Sequence, residues 1–152
     1  MNFLKGVGWC LKIGTLLSSF GFVITVSIQI VARYFLDNVP PWTEEASRIL
    51  FIYAIAFASG LAYKGNYFVR LDLFQEKDKP QLKRALNRLT PLVTLLLFGV
   101  MGAYALHMLD MGRTERSPSL QIPMTLPFFS LIILTGSIGL YALINLIKQF
   151  KK

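Results

Sequence analysis

The chain has 152 residues, 54% of them hydrophobic and only 16% charged, and its mean hydropathy is +0.53. That balance excludes an ordinary water-soluble domain, which needs far more polar surface, and a disordered chain for the same reason. The net charge of +8 calls for an anionic surface, and the apolar content makes a membrane, not nucleic acid, the surface to expect.

Uncharged runs divide the sequence. Residues 13–32 carry no charge and are bounded by Lys12 and Arg33. Twenty residues at about 1.5 Å each match a hydrocarbon core of about 30 Å. Such a run is too long for the apolar region of a cleaved signal peptide, so it is expected to remain as a span. Residues 49–63 are uncharged between Arg48 and Lys64. At about 22 Å this run is short, so the helix must begin nearer Ala46 with Arg48 paired, or a flanking cation must snorkel. Residues 89–109 form the third run, and residues 117–147 the fourth, longer than one span requires. The reading is one domain, 1–152, of an all-α membrane protein with four transmembrane helices at about 13–32, 46–63, 91–109 and 126–147. Helices are favoured because backbone groups in lipid must pair within their own segment.

The loops add detail. Pro41 and Trp42 make a rigid entry to the second span, with an aromatic suited to headgroup depth. Glu44 and Glu45 fall in its first turn, and either can pair with Arg48 on one face. This cluster, which Arg33 can join, reads either as a membrane-edge anchor or as a docking point. In the middle loop Leu82, Ala85, Leu86 and Leu89 recur at helical spacing among Lys79, Lys83, Arg84 and Arg88. That predicts an amphipathic interfacial helix on the cytoplasmic side, or else a solvated linker helix, ending where Thr90-Pro91 restarts the chain. Pro118, Pro123 and Pro127 preclude a regular helix before the last span.

Lysine and arginine set the orientation. Twelve of the sixteen lie in the two tails and the loop 64–88, while Arg33, Arg48, Arg113 and Arg116 lie on the other side. Both termini are therefore expected in the cytoplasm, and the basic loop is a candidate for contact with anionic membrane lipids. Small residues at Gly14/Ser18, Ala56/Gly60, Gly99/Ala103 and Gly136/Gly139 allow close helix approach. No charged residue lies in the middle of a span, although ion-coupled carriers depend on such groups. The lone Cys10 forms no internal disulfide, and the lone His107 cannot supply paired haem ligands. No nucleophile, base or metal cluster points to an enzyme.

Arg33-Tyr34-Phe35, Asn38, Pro41-Trp42-Thr43-Glu44-Glu45 and Arg48 resemble the hallmark of the small, DctQ-like membrane subunit of tripartite ATP-independent periplasmic (TRAP) transporters. Val69-Arg70-Leu71-Asp72-Leu73-Phe74 resembles that family's cytoplasmic signature, and Ser117-Pro118-Ser119-Leu120-Gln121-Ile122-Pro123-Met124 its signature before the fourth span. Two positions depart from the pattern: Tyr67 stands where a His is common, and Thr125-Leu126 where an aromatic often follows. The resemblance implies a non-catalytic scaffold in the bacterial inner membrane, accessory to a sodium-coupled importer of small organic anions. It would pair with a large multi-span transport subunit carrying the substrate and sodium sites, and a periplasmic substrate-binding protein would deliver substrate. This chain itself would hold no cofactor. Trp42, Glu44, Glu45 and Arg48 would organise the outer corner, Asp72 would brace the cytoplasmic loop, and Ser117, Pro118 and Pro123 would shape the outer surface. The alternative from the residues is a stand-alone four-helix exporter working as a homodimer.

Overall fold

The computed structural model describes residues 2–36, 40–65, 67 and 80–150. Four helices account for nearly all of them: α1 (Asn2–Phe35), α2 (Pro41–Lys64), α3 (Pro80–Met111) and α4 (Thr125–Phe150). Each contains a stretch long and apolar enough to cross a membrane. The chain is thus an all-α, multi-pass membrane protein.

The helices run beyond the uncharged stretches. α1 extends back to Asn2, taking in Lys5 and Lys12, because Leu11 is buried and lies close to Gly60 of α2. α2 begins at Pro41 rather than near Ala46, and its N-cap, Pro40, makes no side-chain capping bond. Proline suits a first helical position, since its missing N–H would have no partner there. The earlier start lengthens α2 to 24 residues, about 36 Å, enough to span. α3 differs more. A break at Thr90-Pro91 was expected, yet the helix passes through Pro91 without interruption. Proline there forgoes one backbone bond, a loss membrane helices tolerate when neighbouring groups make it good. The side chains of 80–88, on which the expected amphipathic face rests, lie outside the described residues, as does the segment 68–74.

Among the described residues the helices pack as a row in the order α1, α2, α4, α3. α2 and α4 are central, α1 and α3 flank them. Small residues make the contacts. A Cβ on Gly14 would meet the Phe57 ring, one on Gly21 would meet Leu50, and one on Gly60 would lie 2.6 Å from Ser137. Phe22 and Phe51 add a ring contact at 5.3 Å. Gly99, Gly136 and Gly139 behave otherwise: each faces open space.

Burial is inverted relative to a soluble protein. Ser18, Thr25, Thr43, Ser47, Ser130, Thr135 and Ser137 are buried, while Leu17, Phe20, Leu96, Val100 and Tyr104 are exposed. Lipid gives apolar side chains no reason to turn inward, so close packing selects small residues. Most of these hydroxyls donate to carbonyls one turn back, as Thr25 does to Gly21, Ser130 to Pro127 and Thr135 to Leu131.

Candidate functional site

At one end of the bundle α2 begins, α3 ends and α4 begins, forming a corner. Thr43, fully buried, fixes the start of α2: its hydroxyl donates to the Pro40 carbonyl at 2.8 Å and its backbone N–H to the same oxygen at 3.2 Å. That geometry sets the faces of the next two residues. Glu44 points along the exposed side and accepts a 3.1 Å bond from the Arg48 guanidinium, one turn on. Glu45 points the other way, to the loop after α3. Its Oε2 accepts the backbone N–H of Ser119 at 3.0 Å and of Leu120 at 2.8 Å. A charged acceptor taking two amides strengthens both bonds and fixes the loop's position. Of the two pairings open to Arg48, the one with Glu44 is made.

The loop that Glu45 holds is itself a small closed hairpin. Arg116 and Pro123 face each other as an isolated antiparallel bridge. The Ser117 N–H bonds to the Ile122 carbonyl at 2.9 Å, and the Met124 N–H to the Glu115 carbonyl at 3.0 Å. Gln121 turns the tip in the left-handed region, at φ 54°. Its carbonyl accepts from Arg116 and its side-chain amide donates to the Pro118 carbonyl. Ser117 is 1% exposed, so the hairpin packs down onto the bundle and does not stand free. Two residues that sequence reading passed over complete the fastening. Gly112 lets α3 end against the start of α4, where a Cβ would lie 2.8 Å from the Thr125 nitrogen. The Tyr53 hydroxyl donates to the Leu126 carbonyl at 2.6 Å, tying α2 to α4. A glycine just past the last apolar repeat of a helix was a usable signal for Gly112; nothing in the pattern marked Tyr53.

Arg33 ends α1 across from this corner. With Gln29, Pro40, Pro41, Thr43 and Glu44 it lines an open cleft of about 300 Å³ between α1 and α2. Trp42 is 43% exposed beside it. Arg33, Pro41, Trp42, Glu44, Glu45, Arg48, Ser117, Pro118 and Pro123 therefore gather at one end of the bundle. Asn38 and Asp72 lie outside the described residues. The arrangement holds the connection between α3 and α4 against α2 and leaves apolar helix faces uncovered, which suits assembly.

Comparison with known proteins agrees with this reading. The family model for the DctQ component of tripartite ATP-independent periplasmic transporters matches residues 22–152. A protein of Haemophilus influenzae described as a TRAP transporter small permease is 26% identical over 139 residues, covering 90% of this chain and 84% of that protein. The match spans most of the four-helix bundle and all of the Glu45 corner, and on it the chain belongs to the DctQ family of TRAP transporter components.

Proposed function

We propose that this chain is the static small subunit of a sodium-coupled importer of small organic anions in the bacterial inner membrane. A large multi-span subunit carries the substrate and sodium sites, and a periplasmic binding protein delivers the substrate. Both termini lie in the cytoplasm, because the two tails and the stretch 64–88 carry twelve of the sixteen lysines and arginines. The Glu45 corner then faces the periplasm, where a delivery protein arrives.

The observation that carries this reading is the placement of charge. No charged residue falls within the uncharged runs 13–32, 49–63, 89–109 and 117–147. A carrier that couples transport to an ion gradient needs polar or ionisable groups at mid-membrane depth. The bundle instead offers packed serine and threonine hydroxyls bonded within their own helices, as those of Thr25, Ser47, Ser130, Thr135 and Ser137 are, and apolar flanks. That is the construction of a wall against which another subunit moves. The partner surface falls on α4 and α3, where Gly136, Gly139 and Gly99 are open to a neighbouring helix.

The test has two arms. The chain reconstituted alone into liposomes is expected to move no organic acid under a sodium gradient. Expressed with its transport operon, it is expected to co-purify with a membrane protein roughly threefold larger. Flux from the isolated chain would instead favour the homodimeric exporter.

A further inference from the structure

At the end of the bundle opposite Glu45, three helices converge on a group the fold leaves unmatched. Tyr141 of α4 is 5% exposed, and its hydroxyl is shielded from solvent with no hydrogen-bond partner. It reaches past the end of α2 to α1, where Gly8 makes room. A Cβ on Gly8 would lie 3.6 Å from the Tyr141 oxygen and 2.5 Å from Nζ of Lys64. Lys64, the last residue of α2, holds its ammonium 5.9 Å from the centre of the Tyr141 ring. Among the described residues it forms no ion pair; the two present, Glu44–Arg48 and Asp110–Arg113, are both at the other end.

The surroundings are basic. Lys5 and Lys12 lie three residues before and four after Gly8, on the same side of α1, so both flank the site. Neither α1 nor α4 contains an Asp or Glu, and those of α2 are at its far end. A buried hydroxyl without an acceptor is costly, and an ammonium beside it has spare donors. What both lack among the described residues is one acceptor with several oxygens and a negative charge. A phosphate group meets that requirement: one oxygen can take the Tyr141 hydroxyl while another takes Lys64. The depth suits a lipid, because α2 ends here and the lysines stand where headgroups lie.

We propose that Lys64 and Tyr141 form a binding site for the phosphate of an anionic phospholipid, with Gly8 kept bare so that the ammonium can lie against α1. Lys64 is exposed, and its flexible stem swings aside to admit the phosphate to the hydroxyl. The site does not depend on the transport role above; only the identity of the leaflet follows from the orientation given there.

The experiment uses the full chain in a neutral detergent, with native mass spectrometry and thermal unfolding in phosphatidylglycerol, phosphatidylcholine or inorganic phosphate. Phosphatidylglycerol is expected to bind and to raise the unfolding temperature, and phosphatidylcholine to do neither. Lys64→Gln should weaken phosphatidylglycerol binding about fivefold, the scale of one lysine at an anionic surface. Tyr141→Phe should unfold no earlier than the parent without lipid, since it removes only an unpaired hydroxyl, yet lose most of the lipid-dependent shift. A shift that survives in both variants, or that phosphatidylcholine produces equally, would overturn the site. Millimolar inorganic phosphate reproducing the shift would overturn the lipid as its source.

Discussion

Glu44 binds along its own helix to Arg48, whereas Glu45, one position on, crosses to the backbone of another segment. The two carboxylates thus do different work. The Glu44–Arg48 pair has both side chains 69% exposed, and exposed pairs one turn apart contribute at most about 0.5 kcal/mol. Arg48→Ala is expected to leave thermal unfolding of the purified chain unchanged. Glu45→Ala removes the acceptor of two loop amides, so hydrogen exchange at Ser119 and Leu120 should quicken while the helix amides keep their protection. Equal exchange in the two variants would show that the hairpin closes without Glu45. The sequence made Glu45 and Arg48 candidates through their spacing in one turn. It did not reveal that Glu45 reaches residues 74 and 75 positions away, because that contact depends on how α4 docks against α2.

At the scale of the helix, glycines that look alike in the sequence divide into two kinds. Gly60 is buried between helices, and Gly136 faces open space. Gly60→Ala would place a Cβ 2.6 Å from Ser137 and 3.0 Å from Leu11, so overpacking should cost about 1–3 kcal/mol. Gly136→Ala meets nothing and gains helix propensity of up to about 1 kcal/mol. Unfolding of the isolated chain in detergent should therefore be earlier for the first and unchanged or later for the second. Gly136→Leu should in addition weaken capture of the larger subunit while the chain itself still folds. Spacing could mark all these positions as small, but it could not say which helix, if any, each one faces. Pro91 carries the same lesson in reverse. Local chemistry favoured a helix start there, and the packing of α3 on α4 kept the helix whole.

For the molecule as a whole, the row α1, α2, α4, α3 departs from chain order. The short connection after α1 and the hairpin after α3 keep those pairs together. The longer connection from Lys64 to Pro80 lets α4, not α3, take the place beside α2. The count of spans was readable from the uncharged runs, since lipid penalises charge so strongly. The neighbour order was not, because all four helices are similarly apolar. The division of basic residues predicts orientation, and impermeant thiol labelling checks it. With Cys10 replaced by serine, Ser119→Cys should react in intact spheroplasts, and Lys148→Cys only after they are lysed. The opposite pattern would invert the orientation proposed for this protein.

Glu45 and Tyr53 fasten the hairpin and the first turn of α4 to α2 at two points, eight residues and about 12 Å apart along one helix. Two fixings remove the pivot that a single one would leave. A visitor leaning on the hairpin from outside would therefore find little give, and its thrust would pass down α2 and α4 together towards the opposite leaflet.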